Sequence, residues 1–451
     1  MRTLSSVVSE ISSASPKPLH SGSSIGYTPT AWYQFSVRTI VLVLLPLLSI
    51  AGGYGTMVLG GANGTFPHLM GLLDSENALF PGSSDPLLKS YTGITAIDRQ
   101  LAVLVLFFAP VVDLSDSPLA LFCIFGSGQF AAAWTLLVME SLRMGNKSKL
   151  VSYIGTVGFI LQNISFAVTV PLYLLLHLFT SPVAKPFPGT HANSVLLVPT
   201  LDLAILPISI TLGYIVPTIL MGLQFPDIVS TATHQKLIAL WQPFPIWTMI
   251  IHLVLRSCSS RISKMLTKED EGNRPPAPQG ASYLSMAKHV YRFVLALCMI
   301  THLPALLLAA LPASMLPASA DHLAALASGR VSDVYIPYFP LLSHKVDSFP
   351  TGVLTFLQWD LCIGSTALFL WSLVLYRNAT TEKTIIDPNT ALPSYVYQQL
   401  LSGEAGQRQE IWKTIAWKTA VWTLLAGPMG AVVILLWRKD EIVRQKVKQG
   451  I

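Results

Sequence analysis

The first group in this sequence that could do chemistry is a carboxylic acid inside an apolar helix. Asp360 lies well within "FPTGVLTFLQWDLCIGSTALFLWSLVLY", residues 349–376, a run apolar and long enough to cross a bilayer. An ionisable carboxyl at such depth costs roughly 3 kcal/mol on insertion scales, so its presence points to a function. In apolar surroundings the charged form of a carboxyl is disfavoured, and the group can remain a neutral proton donor near pH 7. That is the chemistry of a general acid. Asp202, in "VPTLDLAILP", is the next deepest, and Asp113 in "VVDLSDSP" and Glu140 in "VMESLRMGN" are rivals for the same role. Arg143 and Arg99 are candidate ion-pair partners, and Asp98, Asp116, Asn163, His177, His252 and His302 complete the polar groups at depth. Each of these could instead close an interhelical hydrogen bond; for Asp360 the candidate partners are Asn163 and His302. Gly364, one turn beyond Asp360 on the same helix face, lets another helix or a ligand come close to that carboxyl.

Aromatic residues form a second constellation. In "IALWQPFPIWTMIIH", Trp241, Phe244 and Trp247 recur every three residues, and Trp359 flanks Asp360. Aromatic faces carry negative charge density and stabilise a cation that passes over them. An acid beside aromatic walls therefore suits protonation of an alkene or epoxide followed by carbocation cyclisation. A membrane-interface aromatic belt is the competing explanation, and it is the one we favour for Trp412, Trp417 and Trp437. It explains less for Trp241 and Trp247, which lie near the middle of one segment beside Pro243 and Pro245.

Several chemistries lack their residues. There is no DDxxD or comparable pair to hold Mg²⁺ against a diphosphate, and "DLSD" is isolated. The DxDD of soluble protonation-type cyclases, the P-loop, HExxH and CxxCH are absent too. Cys123, Cys258, Cys298 and Cys362 stand singly, which indicates neither a disulfide framework nor a zinc site. The expectation is acid chemistry on a hydrophobic substrate with no metal and no cofactor.

These groups must be positioned by membrane helices. Hydrophobic residues make up 52% of the chain and charged residues 12%, with a mean hydropathy of +0.55; a soluble domain carries about 25% charged residues. The expected fold is all-α, a polytopic transmembrane helical bundle. The net charge of +6 fits basic loops and anionic lipid rather than nucleic acid. Residues 1–32 are rich in Ser and Pro without an apolar core, so they read as a flexible polar tail and not a signal peptide. Residues 33–437 form the transmembrane domain and 438–451 a basic C-terminal tail. Within the domain, apolar runs lie near 38–60, 97–113, 118–140, 150–179, 195–222, 235–256, 290–316, 351–376 and 414–437, which implies eight or nine spans.

Loop charge is inconsistent about orientation. The segment 256–288 and the C-terminal tail are both basic and both want the cytoplasm, yet three apparent spans separate them. Sequons occur at Asn63, Asn146, Asn163 and Asn378, and the loop carrying Asn63 would accept a glycan if lumenal. Prolines recur inside the runs, among them Pro46, Pro110, Pro207, Pro217, Pro243, Pro245 and Pro304. They read as ordinary membrane-helix irregularity before they read as kinks that splay the bundle around a cavity. No internal duplication is visible, which speaks against a repeat-built transporter.

The strings "IDRQLAVLVLFFAPVVD", "GQFAAAWTLLVMESLRMGN", "LGYIVPTILMGL" leading to "IALWQPFPIW", and "FLQWDLCIGS" together resemble the fungal integral-membrane terpene cyclases of the ascofuranone, ascochlorin and macrophorin type. The likeness spans roughly residues 30–437. It implies a secondary-metabolism enzyme of meroterpenoid biosynthesis, an isomerase or lyase in the endoplasmic reticulum membrane, that cyclises a farnesyl chain on an aromatic or polyketide-derived head. The site residues rest on the chemistry above and not on the resemblance. Asp360 is first choice for the acid, with Asp202, Asp113 and Glu140 as rivals. Trp241, Phe244, Trp247, Trp359, His302 and Arg143 are the substrate-binding candidates, and a second carboxylate or His302 takes the last proton unless water adds. The partners expected are a prenylated small molecule, the lipid bilayer and other enzymes of the pathway, with no nucleic acid. The alternatives from other classes are a transporter of a hydrophobic or weakly acidic metabolite, using the same carboxylates as proton relays, and a membrane scaffold.

Overall fold

The computed structural model describes residues 37–449 apart from 188–190, 268–281, 317–318, 320, 328–329, 340 and 381–393. The expected polar tail, 1–32, lies outside the described residues. Residues 1–40 and 41–451 form two units; of the first only the opening turn of a helix is described, and the account below concerns the second.

Apolar runs fold as helices because hydrocarbon offers no partner to a free backbone N–H or C=O. Seven helices among the described residues are long and apolar enough to cross a membrane. They are α1 (Val37–Ala62), α3 (Thr95–Asp113), α4 (Ser117–Ser141), α7 (Ala192–Met221), α10 (Ser282–Ala310), α11 (Phe349–Thr380) and the Trp412–Lys448 stretch of α12 (Ser394–Gln449). An eighth span results if α8 (Thr231–Trp241) and α9 (Phe244–Thr267), bent by 69°, count as one. The bend falls at Gln242 and Pro243, where the proline has no N–H to continue the helical hydrogen-bond ladder. A shorter helix, α2 (Thr65–Asp74), follows α1. Among the described residues the only β-pairing is an isolated bridge between Leu79 and Pro86.

The fourth run expected from the sequence, 150–179, is not one helix. It breaks at Ile164 and Ser165 into α5 (Ile154–Asn163) and α6 (Phe166–Thr180), each too short to span. Ser165 adopts extended geometry, and its hydroxyl accepts the Val168 N–H at 3.2 Å, which caps the new N-terminus.

α4 is the centre of the bundle. It packs against α3, α7, α10, α11 and α12, and its Leu119, Leu121, Ala132, Leu136 and Met139 are fully buried. The outer faces are apolar as well: Ile50, Ile300 and Leu424 are 69%, 70% and 65% exposed. A soluble protein would cover such side chains, whereas lipid does not penalise them. Of the sequon asparagines, Asn63 and Asn146 are buried, and Asn63 Oδ1 is occupied by the N–H and hydroxyl of Thr65.

α12 contains a second break. Gly427 has φ +70°, and Pro428 follows without an N–H. A neighbouring helix repairs the ladder. Gln129 of α4 donates from Nε2 to the Ala426 carbonyl at 3.0 Å and accepts the Met429 N–H at Oε1, also at 3.0 Å. The Leu424 carbonyl, which residue 428 would bond in a regular helix, takes His302 Nε2 of α10 at 3.1 Å. A carbonyl only accepts, so the proton is on Nε2. Gln129→Leu should therefore leave two buried main-chain groups unpaired, each costing about 1–3 kcal/mol. The measurement is the thermal unfolding midpoint in detergent, which should fall well below wild type; an unchanged midpoint would show that the staple carries no stability.

Candidate active site

α1, α2, α3, α4, α7, α8, α11 and the α5–α6 break line a cavity of about 490 Å³, within the range of about 300–1,000 Å³ typical of small-molecule sites. Its wall is aromatic, with Phe107, Phe108, Phe130, Phe166, Trp241 and Phe356 among the lining side chains. These rings brace one another. Phe107 meets Phe356 at 5.1 Å, Phe108 meets Trp241 at 5.1 Å and Phe130 meets Phe166 at 5.0 Å. The Trp241 indole is fixed by a 2.8 Å hydrogen bond to Thr218 Oγ1. Such edge and tilted packing pre-sets the orientation of the ring faces before a ligand enters.

Asp360 is the one Asp, Glu, Lys or Arg among the described residues that line this cavity. Its position is dictated by the break. Oδ1 accepts the Ala167 N–H at 2.8 Å, and the Ser165 hydroxyl and Phe166 N–H are directed at the same carboxyl. The carboxyl thus sits on the N-terminus of α6, where orphan amides and the helix dipole favour negative charge by about 0.3–1 kcal/mol. Neither Asn163 nor His302 is its partner. A carboxyl so placed can release a proton and find its anion already solvated by fixed donors. Behind it, Gly364 permits the approach of α6: a methyl group there would overlap the Phe166 ring.

The other sequence-derived candidates fall elsewhere. Phe244 stands directly behind the wall, fully buried against Tyr214 at 4.8 Å and Trp241 at 5.4 Å. Trp247 is half-buried outside the cavity, its indole donating to the Leu240 carbonyl. Trp359 points away from the cavity toward Gly55 and donates to the Tyr338 carbonyl at 3.2 Å. His302 is committed to Leu424 and lies between Phe125 and Tyr335. Asp113 is exposed at the end of α3 beside the Ser115 hydroxyl. Asp202 is 1% exposed and faces His252 and Arg256, both at 3.4 Å. Ser209 approaches the other ring nitrogen of His252 at 3.2 Å, but its hydroxyl also bonds the Ile205 carbonyl and none of these residues lines the cavity.

Glu140 and Arg143 belong to a separate buried charge cluster. Arg143 bridges Glu140 at 2.8 Å and Asp440 at 3.0 Å, and donates to the Leu196 carbonyl. Lys439 approaches Glu140 at 3.4 Å, and Tyr291 donates to Asp440 at 2.8 Å. Burial opposes the charge on Arg143, but the flanking carboxylates of Asp440 and Glu140 outweigh it and hold its pKa well above the ordinary value. Two acids and two bases compensate each other here, which ties α4 to α12.

The residues that sequence reasoning missed are mostly rings. Phe356 was legible, since it lies four residues before Asp360 on one helix face. Phe130 and Phe166 come from separate runs, and only the fold brings them to Asp360. Two outcomes follow from this geometry. Gly364→Val should push Phe166 into the cavity and lower product formation by about a hundredfold, as misplacement near a reacting centre does, with the folded protein still recovered; unimpaired turnover would show that Phe166 does not shape the site. Arg143→Met should leave two buried carboxylates to share the one cation of Lys439, at a cost of about 3–5 kcal/mol, seen as loss of monodisperse protein in detergent.

Comparison with known proteins bears on what the cavity does. The CtvD domain model matches residues 40–444. The chain is 27% identical over 427 residues to the terpene cyclase ascI of Acremonium egyptiacum, covering 91% of this chain and 93% of that protein. It is also 27% identical over 412 residues to the terpene cyclase ctvD of Aspergillus terreus, covering 89% and 98%, and 27% identical over 337 residues to the terpene cyclase penA of Penicillium crustosum, covering 75% and 84%. No solved structure matches. Of the catalytic, transport and scaffold readings, these relatives select the first. The chain belongs to the CtvD domain family, as a terpene cyclase.

Proposed function

We propose that this terpene cyclase protonates the distal alkene or epoxide of a prenyl chain carried by a meroterpenoid precursor, using Asp360 as the acid, within an endoplasmic reticulum membrane and without a metal. The observation that carries the proposal is the one carboxyl among the described lining residues of a cavity whose wall is mostly aromatic and aliphatic. Asp360 gives its O–H proton to the alkene carbon or the epoxide oxygen. Inner double bonds attack the resulting cation in turn, so that each new C–C bond moves the positive charge along the chain. The faces of Trp241, Phe108, Phe130 and Phe166 stabilise that charge, each close contact contributing about 0.5–2 kcal/mol. The carboxylate left behind keeps its bonds to the N-terminus of α6.

The last cation must lose a proton or take up water. Among the described residues the lining holds no second carboxylate and no histidine, so water is the base or nucleophile in this scheme.

Asp360→Asn is the decisive variant, because an amide oxygen still accepts the Ala167 N–H while no acidic proton remains. Microsomes with the wild type, incubated with a farnesylated phenol and separately with its terminal epoxide in the presence of EDTA, should yield from one of the two a cyclised product, of unchanged mass where the last cation loses a proton and heavier by one water where water adds. The same microsomes carrying Asp360→Asn should yield none at an equal level of folded protein. Retained turnover in that variant would remove Asp360 from the role of acid, and inhibition by EDTA would remove the metal-free route.

A further inference from the structure

We propose that the side-chain oxygens of Gln162 and Asn163 form an acceptor subsite at the edge of the cavity that takes an O–H donor, either a hydroxyl on the head group of the prenylated substrate or a water molecule. The proposal rests on the reading of the cavity as the cyclisation site. The orientation of the two amides carries it. Gln162 Nε2 donates to the Gln242 carbonyl at 2.8 Å, and Asn163 Nδ2 donates to the Phe159 carbonyl at 2.8 Å. A main-chain carbonyl only accepts, so neither amide can be turned about, and each presents its oxygen on the opposite side. Both residues line the cavity, and no hydrogen bond from the described residues reaches either oxygen.

The remaining polar groups on the wall are largely spent. The Ser127 hydroxyl donates to the Ile124 carbonyl, Tyr214 donates to the Ser127 carbonyl, and Thr218 donates to the Tyr214 carbonyl while accepting from Trp241. Gln100 is the other amide on the wall, and no hydrogen bond from the described residues fixes which of its ends meets a ligand. The Gln162 and Asn163 pair therefore discriminates chemically: it favours an O–H group over an ether or a carbonyl, which would leave acceptor facing acceptor. Its place suits both sources of that donor. Asn163 and Ile164 line the cavity and are exposed, Ile164 by 45%, so the subsite sits where the cavity opens. Ser165 and Ala167, next in the chain, hold Asp360. A water bound here could return a proton to the carboxylate after the last cation has passed its own proton to solvent, which balances the cycle.

The test uses the full-length protein purified in detergent, a farnesylated phenol and its methyl ether. If the head-group hydroxyl is the donor, the wild type should show a KM about five- to tenfold higher for the ether at unchanged kcat, and Gln162→Met and Asn163→Leu should lose that preference. If water is the donor, the wild type treats the two substrates alike and both variants lower kcat for each at unchanged KM. Equal handling by the wild type together with wild-type kinetics in the variants overturns the subsite. Ligand-induced stabilisation of Asp360→Asn by the phenol and by the ether, read as a shift in thermal midpoint, reports the head-group preference without turnover. A preference there, with activity retained, would sink the role of Asp360 and leave the subsite standing. Should either variant fail to fold, the comparison of phenol with ether on the wild type and on Asp360→Asn still decides for or against the head group, and a Gln162→Glu variant, which keeps the acceptor, tests the water.

Discussion

The contact on which the site depends is the one between Asp360 and the N-terminus of α6. A helix that starts in the middle of a bundle exposes amides that hydrocarbon cannot satisfy. Ser165 meets one of them from within its own segment, and Asp360 meets another from α11. The break therefore needs acceptors, of which Asp360 is one, and the carboxyl gains fixed donors from the break. This mutual requirement answers why an acid is tolerated in so apolar a helix. It also places the acid where Phe166, the first residue of α6, supplies a ring beside it.

The other charged groups at depth solve a structural problem. Glu140, Arg143, Lys439 and Asp440 carry compensating charges and join α4 to α12. Buried ion groups of this kind contribute little net stability when complete and cost much when one member is lost, so they fix which helices meet more than how tightly. His302 and Gln129 do a similar service for the break at Gly427. None of these groups lines the cavity, where Asp360 is the one acid among the described residues.

Legibility in the sequence followed sequence distance. The helical class, the membrane-length runs and Asp360 could be read because each is a property of one contiguous segment. The partners of Asp360 could not, since Ala167 is 193 residues away in the chain. Trp241 lines the cavity, but the three-residue spacing that also drew attention to Trp247 loses its meaning at the bend after Trp241, which turns the following helix by 69°. The conflict in loop charges has a similar origin. Lys439 and Arg444 look like free positive charges in the C-terminal stretch, yet Lys439 is buried against Glu140 and Asp440 and Arg444 pairs with Glu441. A count of basic residues treats them as loop charges, and the folded chain does not.

Irregular backbone is where the cavity comes from. Met57 lies in the π-helical turn Tyr54–Val58, Tyr214 in the π-helical turn Thr211–Ile215, Ser165 at the α5–α6 break, and Trp241 at the bend between α8 and α9; all four line the cavity. The prolines that read from sequence as routine irregularity include Pro217, just after one such turn, and Pro243, at the bend. Regular helices packed along their whole length would close on one another at native density and leave no void of this size. Departures from the 3.6-residue period shift the side chains that follow onto new faces, and π-turns are frequent at functional sites for that reason. Where these four irregularities converge, the bundle opens, and the amides released by one of them hold the acid that the opening surrounds.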